Sequence, residues 1–401
     1  MSSLGRRLFC AQVVFLATLV SPSTLVRPDL EIRVMNTVVL PGDPKSEVQT
    51  PALCLNLDSF EANLQRTASA VRAAGKQWRP NSKSHQSLDI AKRLIHAGAI
   101  GLTCGCVAEA QIFATQSIRD LLITQLPVGN RRIRQLAELC KNADPIATCD
   151  HYVQAEALSQ ECQRQGVRCR ALVEINVGLE RTGARPGRDT IELARGIDRL
   201  PGLILSGIMG IEGNRVPGES IEELDRKMGA ASGILAHSRD IFLQNGLCCG
   251  IVSGVGTDSF PQGLRSESLT EIQAGSILFR DEPTSKSASR HDASPTLTLL
   301  STVISRPGFE RAVLDAGTDW LAAGTATPTI KDWPDAHVLR QYAEHLVLEL
   351  GPCSRELRIG DQVELTIPHL AATVALHRQF LGFRQHQLEA VWPIFTRGFS
   401  G

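Results

Sequence analysis

The 401-residue chain reads as an α/β protein, a (β/α)8 TIM-like barrel followed by a C-terminal β-domain. Three observations predict this. From residue 51 to about 280 short apolar runs alternate with longer amphipathic stretches, the pattern of βα units. Eight such units fit within about 210 residues, near the lower size for a barrel. Beyond a polar, Ser-rich segment at 281–295, strand-like runs separated by Gly, Pro and Asp take over. A doubly wound open sheet shares the strand–helix alternation and is the structural rival.

Taken in order, barrel strands are expected at 78–83, 101–104, 121–125, 145–149, 171–177, 203–209, 249–253 and 271–279. Helices are expected at 84–97, 107–115 and 131–141. In the last of these Ile133, Leu136, Ala137 and Cys140 recur at steps of three and four, which is one helical face. The barrel domain then takes 51–285. The apolar run 52–57, within an N-terminal strand region at 31–57, is grouped with the β-domain at 295–401, whose own strands are expected at 296–305, 311–315, 346–350, 362–366 and 372–376.

The first 30 residues stand apart. Arg6 and Arg7 precede an apolar run from Leu8 to Val20, broken by Gln12 and Thr18, and Ser21, Pro22 and Ser23 follow. That outline fits a secretory signal or an acid-free organelle-targeting segment. The run is shorter than the roughly 20 residues a membrane-spanning helix needs. An extension ahead of a cytoplasmic enzyme is the third reading, and the scattered cysteines favour it.

Composition removes several classes. Lys+Arg and Asp+Glu both number 42, so the basic excess that a nucleic-acid binder uses to displace counterions is missing. A hydrophobic content of 43% with 21% charged residues is too apolar for disorder. Eleven cysteines, odd in number and without finger spacing, do not make a disulfide framework.

Three segments can carry chemistry. In RPNSKSH at 79–85, Lys83 ends the first barrel strand, on the face where barrels place active sites. A lysine in a partly dry pocket has its ammonium form destabilised and becomes the neutral nucleophile of Schiff-base chemistry. Taken alone, a solvated lysine at a helix start is the commoner case. The segment EINVGLERTG at 174–183 closes a strand with a polar loop carrying Arg181. The segment SGVGTDS at 253–259 follows the seventh strand, where small residues let backbone N–H groups approach a phosphate; a plain turn is the alternative. Cys104-Gly105-Cys106 has no second pair and reads as packing. Phe380, Phe383, Phe395 and Phe399 read as core or interface filler, and Asp315 as a turn-closing residue.

Together with LNLDSFEANL at 55–64, GIMGIEG at 207–213, EIQAGSILFRD at 271–281 and LDAG at 314–317, these segments occur in one order from about residue 51 to 369. In them the chain resembles the fold-type III pyridoxal-phosphate enzymes, in the branch of D-threonine aldolase, D-3-hydroxyaspartate aldolase and metal-activated D-serine dehydratase, with an alanine racemase N-terminal-like barrel. The resemblance implies that Lys83 holds pyridoxal 5'-phosphate as a Schiff base, that Arg181 lies beside the ring, and that Gly254, Gly256 and Thr257 cradle the phosphate. It implies a lyase acting on a small D-3-hydroxy amino acid by retro-aldol cleavage to glycine and an aldehyde, and a homodimer. D-serine dehydratase-type ammonia elimination, amino-acid racemisation, and a cofactor-binding protein without lyase turnover are the alternatives.

Departures from the pattern bear on the reaction. The family holds a divalent metal, Mn2+ or Zn2+, with a C-terminal His and a Cys or Asp two residues later; here His369 is kept and Ala371 stands at the second position. A methyl group cannot ligate, and Thr373 and His377 are the substitutes within reach in sequence. The resemblance also makes His345, in Glu344-His345, and His369 catalytic candidates. Ile211 and Ile277 stand where the family commonly has tyrosine, the second of which reaches the phosphate.

Overall fold

The computed structural model describes residues 40–213, 220–279, 296–324 and 326–395. The expected targeting segment, the linker at 281–295 and Phe399 lie outside these residues. Strand β1 (Ala52–Asn56) leads into helix α1 (Leu57–Ala73), and the chain then alternates: β2 (Gln77–Trp78), α2 (Leu88–His96), β3 (Leu102–Cys104), α3 (Val107–Ala114), β4 (Asp120–Ile123), α4 (Asn130–Leu139), β5 (Asp144–Cys149) and α5 (Tyr152–Gln165). The same alternation continues through β6 (Cys169–Glu174), α6 (Arg188–Asp198), β7 (Leu203–Gly210), α7 (Ile221–Gln244), β8 (Ile251–Gly254), α8 (Phe260–Arg265) and β9 (Glu271–Ile272).

These strands pair in parallel in the order β2-β9-β8-β7-β6-β5-β4-β3. A parallel bridge between Asn81 and Thr103 joins the two ends, supported by the Thr103 N–H on the Pro80 carbonyl at 2.9 Å and the Ile100 N–H on that of Trp78 at 2.9 Å. The ring is therefore closed, and the open-sheet rival is set aside.

Two expected strands are shorter than the pattern suggested, and the shortening builds the barrel mouth. After Trp78 the chain leaves the ladder for a 3-10 turn at Ser82–Ser84, and after Ile272 for another at Ser276–Phe279. Pro80 has no N–H for a ladder, and Asn81 caps the first turn by accepting from the Lys83 N–H at 3.1 Å.

At the foot of the barrel Arg79 is 1% exposed. Its Nε lies 3.0 Å from Glu271 Oε1 and its Nη1 2.8 Å from Asp120 Oδ1, so one guanidinium fork links the chain after β2 to β9 and β4. Asp120 also accepts from Arg170 on β6.

The β-domain is a sheet in the order β12-β13-β11-β10-β1-β15-β16 with β14 also on β10. Its later members are β10 (Leu297–Gly308), β11 (Arg311–Leu314), β12 (Ala336–Gln341), β13 (Leu346–Leu350), β14 (Gln362–Leu365), β15 (Gln379–Arg384) and β16 (Gln387–Pro393). Strand β1 belongs to this sheet, antiparallel to β10 and parallel to β15.

The strand expected at 372–376 is a correction: that run lies in and just beyond α9 (Leu370–Val374). Its alternation of Ala, Thr, Val and Leu has strand-like composition, but Thr373 N–H bonds back to the His369 carbonyl at 2.9 Å and closes a helical turn. One apolar cluster takes in Leu53 and Leu55 of β1, barrel residues such as Trp78 and Ile123, and Phe380 and Trp392 of the β-domain.

Candidate active site

The site is built from four loops. The first is the Lys83 turn. Lys83 is exposed while Ser82, Ser84 and His85 around it are buried, so the turn is anchored and only the amine projects. The Ser82 hydroxyl donates to the Thr103 carbonyl at 2.9 Å and to Glu109 Oε1 at 2.7 Å. Glu109 also accepts from the Gly105 N–H at 2.6 Å. Burial raises the Glu109 pKa, opposed by these hydrogen bonds and by the charge of Lys83. His85 Nδ1 accepts from the Ser87 N–H at 3.1 Å, and burial pushes the imidazole pKa down to about 3, so the ring is neutral.

The second is the loop after β8. Val255 holds φ +70° while 2% exposed, a left-handed conformation that a β-branched residue adopts at a cost of about 1–3 kcal/mol. Such strain persists where the surroundings enforce it: a Cβ on Gly263 would lie 2.6 Å from Val255 Cγ1, so the valine packs directly on α8. The distortion presents the Gly256 N–H, which donates to Glu212 Oε1 at 3.0 Å. The Ser259 hydroxyl donates to the same carboxylate oxygen. Two donors converging on one anionic oxygen have the chemistry of an anion cradle.

The third is the turn after β9. Ser276 Oγ donates to Thr257 Oγ1 at 2.9 Å, and a Cβ on Gly275 would lie 2.2 Å from the Asn81 carbonyl. The phosphate-type loop, the β9 turn and the Lys83 turn are therefore contiguous at one mouth.

The fourth is the loop after β6. Asn176 Oδ1 accepts from the Gly178 N–H at 3.0 Å and the Glu180 N–H at 3.3 Å, and the Asn176 N–H and Ala184 carbonyl close the loop at 3.0 Å. Arg181 is exposed on it. Below, Thr182 donates to Glu174 Oε1 at 2.6 Å; burial raises the Glu174 pKa, with Thr182 and Arg181 opposing and Asp150 adding to it. An open groove of about 950 Å³ runs along the outer flank of this loop, past Asp150, Glu180 and Asp189. No residue of the Lys83 turn or the Gly254–Thr257 loop lines it, so it lies beside the mouth and not within it.

From the β-domain, α9 packs against the Ser82–Ser84 turn, which brings the helix capped by His369 to the Lys83 side of the barrel. His345 is exposed, on the hairpin between β12 and β13, where its carbonyl accepts from the Tyr342 N–H at 2.8 Å. Asp315 is not at the mouth: it accepts from Thr50 at 2.5 Å, Ser301 at 2.6 Å and the Thr302 N–H at 2.9 Å, tying the lead into β1 to β10.

The donors at the mouth fit pyridoxal phosphate: an exposed lysine on a rigid turn, backed by backbone and hydroxyl donors turned to an anionic oxygen. They do not fit a divalent metal. Ala371 offers no ligand, and no group of three or more His, Cys, Asp or Glu among the described residues could hold one. Glu212, Ser259 and Ser276 were not among the expected site residues; the GIEG motif contains the first, but nothing in sequence ties it to a loop 44 residues away.

Comparison with known proteins agrees with the two-part architecture. The alanine racemase N-terminal domain family matches residues 55–283, and a serine dehydratase domain matches 296–383. A 3-hydroxy-D-aspartate aldolase of Paracoccus denitrificans (strain Pd 1222) is 30% identical over 368 residues, 90% of this chain and 95% of that protein. A D-threonine aldolase of an Arthrobacter species is 30% identical over 364 residues, 90% of this chain and 96% of that one. The crystal structure of D-threonine aldolase from Filomicrobium marinum superposes with a TM-score of 0.86 at 29% identity, over 90% of this chain and all of that one. The barrel, the sheet that β1 shares with the C-terminal half, and these matches place the chain in the family that joins an alanine racemase N-terminal domain to a serine dehydratase domain.

Proposed function

We propose that the chain is a pyridoxal-phosphate-dependent lyase that cleaves a D-3-hydroxy amino acid to glycine and an aldehyde. The observation that carries it is the continuity of the Lys83 turn with the Gly254–Thr257 loop through Gly275 and Ser276. The aldolase names of the relatives set the reaction class. Bound pyridoxal phosphate supplies an electron sink conjugated to the substrate Cα.

The chain does the rest. Lys83 is the attachment point, and its Nζ is the group placed to return a proton to Cα. The Gly256 N–H and the hydroxyls of Ser259, Thr257 and Ser276 would hold phosphate oxygens, the first two in place of the Glu212 carboxylate that they bond. Arg181 supplies a fixed positive charge at the ring side.

In the cleavage itself a base takes the β-hydroxyl proton, the Cα–Cβ electron pair passes to Cα, and Cβ becomes the aldehyde carbon. His345 and His369 are the two imidazoles assigned to that proton, and of these His345 is the one open to solvent. A homodimer belongs to the same proposal, with the exposed hairpin at 342–345 as the surface that would meet a second copy.

Elimination of ammonia is the second reading, favoured by the serine dehydratase match. The deciding experiment mixes purified protein with pyridoxal phosphate and follows the visible absorbance of the bound cofactor in wild type and Lys83→Ala. D-threonine, D-3-hydroxyaspartate and D-serine are then supplied. A Lys83-dependent band with glycine and aldehyde as products bears out the proposal. Pyruvate from D-serine alone transfers it to the dehydratase reading, and no band at all sinks it.

A further inference from the structure

We infer that α9 has exchanged metal binding for a structural clamp, and that the chain cleaves its substrate without a divalent ion. This deepens the lyase reading and rests on it for the reaction, but not for the clamp.

His369 caps the N-terminus of α9, Thr373 lies within the helix and His377 follows just beyond its C-cap Ala375. All three are engaged by the segment 317–324. His377 Nε2 lies 2.8 Å from the Trp320 carbonyl, and its ring packs on the Trp320 indole with centroids 5.9 Å apart. Thr373 Oγ1 accepts from the Ala322 N–H at 3.2 Å. His369 Nε2 has no hydrogen-bond partner among the described residues and sits against Gly324 so closely that a Cβ there would lie 1.9 Å from it. The two residues that could stand in for the missing ligand at Ala371 are thus already committed, and the one ligand that is kept is pressed onto backbone. Divalent ions of this class take about three or four protein or solvent ligands in defined geometry; one imidazole facing a glycine does not supply it.

The other side of the same segment is held by the β12–β13 hairpin. The Thr318 N–H donates to the Tyr342 carbonyl at 2.8 Å and the Asp319 N–H to that of Ala343 at 3.0 Å. Gln341 Nε2 donates to the Leu321 carbonyl at 2.8 Å. The segment 317–324 therefore wedges between α9 and the turn that carries His345, and fixes one against the other. Of the two imidazoles assigned to the hydroxyl proton, His369 is then the one held in the clamp and His345 the exposed one.

The missing Lewis-acid ligand set bears unequally on the two lyase reactions. Dehydration breaks the Cβ–O bond and expels hydroxide, a poor leaving group that needs a metal or a strong acid on its oxygen. Retro-aldol cleavage keeps the Cβ–O bond and asks only that a base remove the hydroxyl proton. The committed donors on α9 thus point to aldehyde formation over ammonia release.

The test uses the full-length holoenzyme, dialysed against EDTA and then titrated with MnCl2 or ZnCl2. Metal content by plasma mass spectrometry is expected to stay below about 0.1 ion per chain. Aldehyde release is expected to change by less than about twofold with EDTA or added metal. Hydrogen exchange at the Ala322 amide is expected to accelerate roughly tenfold in Thr373→Val. One ion per chain that is lost in His369→Ala, or unchanged Ala322 exchange in Thr373→Val, overturns the inference. A metal-free protein with the protected amide but no aldehyde from any substrate would sink the lyase reading while leaving the clamp standing.

Discussion

Ser276 places a hydroxyl one residue before Ile277, the position at which the family resemblance leads one to expect a tyrosine. Ile277 is itself 5% exposed within the apolar cluster, and the Ser276 hydroxyl bonded to Thr257 is a polar group at this turn. Losing one such neutral hydrogen bond costs about 1 kcal/mol. Ser276→Ala is therefore expected to weaken cofactor binding roughly five- to tenfold, read by a fluorescence titration, with turnover at saturating cofactor little changed.

His85 makes a different prediction. Burial holds its folded pKa down at about 3, below the ordinary imidazole value of 6.5, so below pH 6.5 the unfolded chain binds the proton that the folded one refuses. Stability is then full above pH 6.5 and falls as pH drops toward 3. From pH 7 to pH 5 that decline amounts to about 2 kcal/mol from this residue. Urea titrations at both pH values should show the decline in wild type and lack about that much in His85→Gln. Lys83, Arg181, Gly254, Gly256 and Thr257 were legible as motifs. Glu212, Ser259 and Ser276 were not, because their partners lie 19 to 47 residues away and meet only once the barrel closes.

At the scale of elements, the strands that alternated cleanly were placed well; Leu346–Leu350 matches residue for residue. The failures have local causes. The run at 372–376 has the composition of a strand but only enough length for the turn that His369 starts, and β15 has no counterpart among the expected strands, its Phe380 and Phe383 reading as core or interface filler. The loop after β6 shows how strictly an element can depend on one residue. Gly183 has φ +108° and a Cβ there would lie 2.4 Å from the Asn176 nitrogen, so alanine faces both a disfavoured backbone and a backbone clash. Gly183→Ala is expected to cost more than about 2 kcal/mol. Because Arg181 rides on this loop, cofactor affinity should fall with the melting temperature, whereas Gly187→Ala, whose Cβ would meet nothing within 4 Å, should lower only the latter.

Over the whole molecule the barrel and β-domain are bound by chain path and by core. The β-domain takes an interior strand, β1, from ahead of the barrel, and Leu53, Leu55, Phe380 and Trp392 share one apolar cluster with residues of the barrel's strands and helices. A sequence can show where strands lie but not that the strand before a barrel is completed by strands more than 240 residues later. This architecture predicts one cooperative unit. Arg79→Met leaves Glu271, 2% exposed, without its cation, which should cost about 3–5 kcal/mol; Arg79→Met with Glu271→Leu should recover much of it. The loss begins at the barrel foot, far from the β-domain sheet. If the shared core couples the two parts, far-UV ellipticity, which reports the helices around the barrel, and the tryptophan fluorescence of a Trp78→Phe background, whose other tryptophans are Trp320, Trp333 and Trp392 of the β-domain, should move to the same lower urea midpoint in Arg79→Met. A β-domain probe that stays at the wild-type midpoint while ellipticity shifts would mean that β1 and the shared cluster do not bind the two parts into one folding unit, and that α9 could leave the Lys83 turn without unfolding the barrel.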